Sequence, residues 1–102
     1  MGLKTLETST INQIKNMDGV TSVETTDNIV ITIECEDKTV GNFYSWTNGD
    51  ILAGRIEYFD NRELYNKGSD RDKTRYLLAD GHQVKFTTVM KILAEWTAKH
   101  KA

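Results

Sequence analysis

Proline is absent from this chain of 102 residues, so its breaks have to be read from glycine and from Asn/Asp clusters. Cysteine occurs once, at Cys35, which excludes an intrachain disulfide. The two histidines, His82 and His100, form no His-x-x-x-His or Cys/His cluster, so neither a zinc site nor another metal or cofactor is expected. No apolar run approaches the roughly 20 residues needed to span a bilayer. Residues 1–7 lack the apolar core of a signal peptide. Gly2 invites a myristoylation reading, but Leu6 stands where that motif wants Ser or Thr. The expectation is a cytoplasmic protein with no membrane partner.

What is present reads as globular: 38% of residues are hydrophobic and 27% charged, a balance unlike that of disordered chains. A chain of this length buries about two-thirds of its unfolded surface, enough for one modest core without staples. Residues 1–102 are expected to form a single α+β domain.

Leu3, Leu6, Ile11, Ile14 and Met17 fall close to helical spacing, and Gly19 suits the left-handed position that follows a helix. Val20 and Val23 then open a strand, with a turn at Asp27-Asn28. Ile29, Ile31, Ile33 and Cys35 alternate on one face of the next strand. A second turn at Asp37-Lys38 returns the chain through "TVGNFYSW". Pairing Glu36 with Thr39 sets Cys35 against Val40, Ile31 against Tyr44 and Ile29 against Trp46, with Asn42 opposite Ile33 as the misfit. Segment 48–66 carries both periodicities. A strand over residues 55–59 with a turn at Asp60-Asn61 is the preferred reading. Asp80-Gly81 signals a hairpin that sets Leu77 against Val84, with Phe86 farther along that face. Thr87 is placed to cap a helix whose Val89, Ile92, Leu93 and Trp96 make an apolar stripe. Packing on a sheet is the expectation for that stripe, a membrane-surface helix the competing one. The fold class that follows is α+β: a single antiparallel sheet of about four to six strands with an N-terminal and a C-terminal helix packed on it.

Residues 11–33, "INQIKNMDGVTSVETTDNIVITI", resemble the helix–strand–strand portion of ferredoxin-like domains. Heavy-metal-associated and ACT-type regulatory domains show a similar G-V-x-x-V followed by a strand. The metal-binding members carry a Cys-x-x-Cys before the helix. This chain has none, and too few residues precede its helix for a full first strand, so no function is carried over.

The stretch "GSDRDKTR", residues 68–75, stands one residue away from the phosphate-binding loop G-x-x-x-x-G-K-T. Asp72 occupies the position of the second glycine, where its carboxylate would repel the phosphate that Lys73 should hold. A solvated loop between two strands accounts for it better. Ser69, His82 and Asp80 can be assembled into a triad on paper, but no strained nucleophile turn supports it. Glu34 and Glu36 lie on the water-facing side of their strand, where carboxylates titrate normally and do no general-acid work. Cys35 reads as a small buried hydrophobe, since Glu34 and Glu36 beside it disfavour a thiolate. Catalytic residues are therefore not assigned, and a small enzyme with an unrecognised site ranks third among the functional readings.

Charge is distributed unevenly. Residues 1–60 hold ten acids and four bases, and residues 61–102 five acids and nine bases. The two halves either lie side by side and neutralise each other, or present separate surfaces. If the acidic half acts, Glu24, Asp27, Glu34, Glu36 and Asp37 form a negative sheet face for a protein partner with a basic surface. The chain is then a non-enzymatic binding module, monomeric or homodimeric. It would be an inhibitor or adaptor of the kind small phage and mobile-element proteins supply against nucleic-acid-handling enzymes. If the basic half acts, Arg62, Lys67, Arg71, Lys73 and Arg75 grip RNA or single-stranded DNA, with Tyr65 and Tyr76 stacking on bases. The acids at 63, 70 and 72 and a pI of about 5.6 argue against a general DNA binder.

Overall fold

A computed structural model describes residues 2–3, 5–48, 51–80 and 86–102. In chain order the elements are β1 (Gly2–Leu3), α1 (Thr8–Lys15), β2 (Val20–Thr26), β3 (Val30–Cys35), β4 (Val40–Asn48), β5 (Ile51–Phe59), α2 (Arg62–Lys67), β6 (Thr74–Asp80) and α3 (Phe86–Lys99). The sheet runs β2-β3-β4-β5-β6, each strand antiparallel to its neighbours. β1 pairs antiparallel with β4 at Trp46 and Thr47, on the edge of β4 that β3 occupies nearer its start. This is the α+β architecture expected from the sequence, a single antiparallel sheet carrying an N-terminal and a C-terminal helix.

Period-two alternation puts Ile31, Ile33 and Cys35 of β3, Phe43 of β4 and Ile56 of β5 on one face, all buried. Ile14 of α1 and Val89, Leu93 and Trp96 of α3 cover that face and complete the core, together with Leu6. Burying each such side chain contributes roughly 1.5–3 kcal/mol against leaving it exposed. The stripe on α3 is therefore a packing surface, as its spacing implied. Among the described residues no helix is long and apolar enough to cross a membrane. The turns expected at Asp27-Asn28 and Asp37-Lys38 form: Asp27 and Asn28 take positive φ of 53° and 58°, and Lys38 takes 80°.

The β3–β4 register is shifted by one residue from the expected one. Ile31 faces Phe43, Thr32 faces Asn42, Ile33 faces Gly41 and Glu34 faces Val40. The reason is that Val40 does not belong to the helix-covered face. It pairs with Phe59 on the opposite side, where α2 gives it cover. The shift also removes the misfit, because Asn42 now accepts a hydrogen bond from the Thr32 hydroxyl at 2.8 Å.

Other boundaries differ as well. Leu3 lies in β1 and Leu6 precedes α1, so the helix is shorter than its apolar spacing suggested, and a short first strand does exist. Phe86 opens α3 and packs on the core instead of ending a strand, and Thr87 lies inside the helix. Gly81, His82 and Val84, and with them the expected hairpin and paper triad, fall outside the described residues. The strand expected at 55–59 is the second half of β5. Asn61, expected in a turn, is the N-cap of α2, its Oδ1 accepting the Leu64 N–H at 2.9 Å. Residues 68–73 accordingly join a helix to a strand, not two strands.

Candidate functional site

The sheet face away from α1 and α3 is polar. One row of cross-strand partners runs over it through Glu24, Thr32, Asn42, Glu57 and Arg75. Among the described residues only α2 sits on this side, near the end that holds Val40 and Phe59. A six-residue helix is too short to persist alone in water, so its contacts with the sheet fix it. The Tyr65 ring meets Phe59 edge-on at 5.8 Å, and its hydroxyl donates to Asn42 Oδ1 at 2.9 Å. Arg62 donates from Nε and Nη2 to Glu34 Oε1 at 3.3 and 3.0 Å. Local chemistry favours the turn too: Glu63 pairs with Lys67 at 3.4 Å, and Gly68 closes the helix in the left-handed region at φ 66°.

Between α2, the loop after it and the sheet lies a cleft of about 350 Å³, lined by Asn42, Tyr44, Glu57, Tyr65 and Lys73 among others. Glu57 organises one wall. Its side chain is only 12% exposed and draws in Arg75 Nε at 2.8 Å, Lys73 Nζ at 3.7 Å and Arg55 Nη2 at 3.9 Å. Asp70 adds a second carboxylate at 3.1 Å from Lys73 and 4.0 Å from Arg75. The hydrogen bond and charge of Lys73, then the charge of Arg75, hold the Asp70 carboxyl below its ordinary range. Two of the cations beside the cleft are thus already shared between two carboxylates.

This pairing decides how the two charged halves of the sequence relate. Glu34 meets Arg62, Glu57 meets Lys73 and Arg75, Asp37 meets His100 and Asp18 meets Lys101. Acids of the first sixty residues and bases of the remainder lie side by side and neutralise each other along these contacts.

The five nominated acids do not form one surface. Asp27 lies in the β2–β3 turn, and Glu36 and Asp37 in the β3–β4 turn at the other end of β3. β3 ends at Cys35, so Glu36 is not on the strand beside Glu34. The Glu36 carboxylate accepts the Ala102 N–H at 3.3 Å. Asp37 Oδ2 lies 2.7 Å from His100 Nδ1, and its Oδ1 accepts the Thr39 N–H at 2.9 Å. Partial burial works against the Asp37 charge, but hydrogen bonds from Thr39 and His100 and the attraction of His100 outweigh it and lower its pKa. Three of the five acids thus tie the fold together. Glu24 and Asp27 remain exposed, with no ion pair among the described residues.

The basic set is divided in the same way. Arg62, Lys67, Lys73 and Arg75 are ion-paired, and Tyr65 spends its hydroxyl on Asn42. Tyr76 pairs with Ile56 and so points to the helix-covered face, where Lys99 Nζ sits 5.8 Å from its ring centroid. It therefore does not join the others on the polar face. Arg71 is exposed and has no ion pair among the described residues. Loop 68–73 is not a phosphate cradle: it closes α2 and leads into β6, whereas a phosphate-binding loop opens a helix.

Sequence reasoning missed Asn42 and Glu57, which organise the polar face. Nothing local marks Glu57, because its importance comes from facing Arg75 on the neighbouring strand β6, eighteen residues later in the chain. Asn61 followed by Glu63 and Gly68 was a readable helix signature. Cys35 is buried, and burial first, then Asp37, Glu34 and Glu36, push its thiol up to about 12, as suits an inert core residue. Among the described residues no group of His, Cys, Asp and Glu is placed to hold a metal ion. No family model, no curated protein and no solved structure matches this chain.

Proposed function

We propose that this chain is a non-enzymatic protein-binding module, an inhibitor or adaptor, that engages a basic surface of its partner through the β2 side of its sheet. One observation carries the reading. Residues 16–37 contain six acids and no Lys or Arg, and the two acids of the nominated set whose carboxylates have neither an ion pair nor a hydrogen bond among the described residues, Glu24 and Asp27, stand on or beside the edge strand β2. Unpaired charge at a sheet margin steers encounter with an oppositely charged surface and suppresses wrong partners. The acidic contact is thus narrower than the five residues the sequence nominated. Glu34, Glu36 and Asp37 belong to the scaffold behind it.

The test compares wild type with a Glu24→Lys/Asp27→Lys variant, each immobilised and exposed to lysate of the source cell, with captured proteins identified by mass spectrometry at two salt concentrations. The expected result is a set enriched in basic proteins that disappears with the double variant, while both proteins melt at the same temperature. Unchanged capture removes the β2 side from the interface. Nucleic-acid binding through residues 62–75 is the second reading, favoured by the unpaired Arg71 alone. Binding of a labelled single-stranded oligonucleotide that weakens steeply with salt and is lost in Arg71→Ala would put that reading first.

A further inference from the structure

Every sheet that is not closed has two edges, and an edge strand presents a row of unpaired backbone N–H and C=O groups. Among the described residues, β2 and β6 stand at the two ends of the strand path β2-β3-β4-β5-β6. β6 lies against α3. β2 touches α1 on one face, but nothing among the described residues covers its outer side, and Thr21, Ser22, Glu24, Thr25 and Thr26 are exposed. Natural edges are blunted by charged side chains, lysine above all, by proline, by bulges or by brevity. β2 is seven residues long, contains neither Lys nor Pro, and carries a single charge, Glu24. Its one bulge falls between Val20 and Ser22, where the Thr21 hydroxyl donates to the Glu34 carbonyl at 3.0 Å. From Ser22 to Thr26 the strand pairs regularly with β3, and its composition, rich in Val and Thr, favours extended backbone.

Resting on the reading of the β2 side as the contact face, we infer that β2 is a strand-addition site for an extended basic segment of another protein, in which Lys or Arg alternates with β-branched residues. The chemistry on the two faces of β2 selects that occupant. An added strand continues the row that runs through Glu24, Thr32, Asn42, Glu57 and Arg75. Its side chain opposite Glu24 therefore stands on the polar face beside an unpaired carboxylate, and a cation fits there. Its alternate side chains fall on the other face beside Val23, which is half-buried against the core, and near α1. β-branched residues suit that position. A second copy of this chain fits less well. Full antiparallel pairing of two β2 strands centres on Val23 and sets the two Glu24 carboxylates on diagonal positions of one face, about 7–8 Å apart.

The probe is an acetylated, amidated heptapeptide of alternating Lys and Val, titrated into isotope-labelled full-length protein and followed by amide shifts and hydrogen exchange. Two further peptides carry the same side chains but are N-methylated on the odd or on the even amides. Strand addition uses only one of these two sets, so one methylated peptide is expected to bind like the parent and the other at least tenfold more weakly. Shifts and slowed exchange are expected within residues 20–26. Glu24→Lys should weaken the parent peptide about tenfold, since a favourable cross-strand pair becomes a like-charge one. Equal binding of all three peptides overturns strand addition but leaves the basic-partner reading intact, because only charge then matters. Binding of none overturns strand addition too, and the lysate capture with the Glu24→Lys/Asp27→Lys variant judges the underlying reading separately. Shifts confined to the cleft or to residues 68–75 overturn it as well. So does concentration-dependent protection of residues 20–26 in the protein alone, which would make the occupant a second copy.

Discussion

Gly19 and Gly68 both take positive φ, 91° and 66°, yet alanine at the two positions should have different consequences. At Gly68 a Cβ would meet nothing nearer than the Tyr65 carbonyl oxygen, 4.0 Å away. Gly68→Ala therefore reports the backbone penalty alone, roughly 1–2 kcal/mol for an L-residue in the left-handed region. At Gly19 the Cβ would clash with the backbone oxygen of Thr97, well inside van der Waals contact. Thr97 is fully buried near the end of α3, so the α1–β2 connection or the end of α3 must move. Overpacking of this kind adds about 1–3 kcal/mol. Gly19→Ala should then cost about 2–5 kcal/mol in total, a large part of the 5–15 kcal/mol that holds a typical domain. Urea unfolding followed by tryptophan fluorescence measures both variants. The informative quantity is their difference, which cancels most of the backbone penalty. A difference below about 0.5 kcal/mol, less than the smallest overpacking effect, would mean that Gly19 does not pack against Thr97 and that the docking of the α1–β2 connection on α3 is wrong.

Trp96 is 2% exposed between the rings of Tyr58 and His100, so Trp96→Ala should cost about 3–5 kcal/mol. A thermal midpoint within a degree of wild type would remove α3 from the core. Asp37 should shape the acid limb of stability. Because its folded pKa lies below the ordinary 3.8, the unfolded chain takes up the proton first. Its contribution is present above pH 3.8 and is lost as pH falls from there through the lower folded value. Asp37→Asn should flatten that limb in urea titrations between pH 2 and 5, and an unchanged slope would contradict it. Lys38 holds φ 80° in the β3–β4 turn. Glycine there removes a penalty of about 1–2 kcal/mol and adds backbone entropy of about 0.5–1 kcal/mol to the unfolded chain, so Lys38→Gly should stabilise by about 0–1.5 kcal/mol. A lower melting temperature for that variant would refute the turn geometry.

The sequence by itself determined what local periodicity can encode. Alternating Ile31, Ile33 and Cys35 made a strand with one apolar face. Val89, Leu93 and Trp96 made a helix needing a sheet to cover, and Asp27-Asn28 and Asp37-Lys38 marked the turns. These signals need only neighbours within a few residues, so they were readable. The tertiary structure decided what depends on distant partners. A one-residue register between β3 and β4 turned on which face Val40 serves, and that was fixed by Phe59 and α2 across the sheet. α2 was passed over because the helix has only six residues, too few for the apolar periodicity of a longer helix, and its stability comes from Tyr65 and Arg62 docking on the sheet. The charge asymmetry was plain in the composition, but its meaning was not. Coulomb attraction acts through space, and only the fold brings Glu34 to Arg62, Glu57 to Arg75 and Asp37 to His100, leaving Glu24 and Asp27 unpaired at the β2 edge.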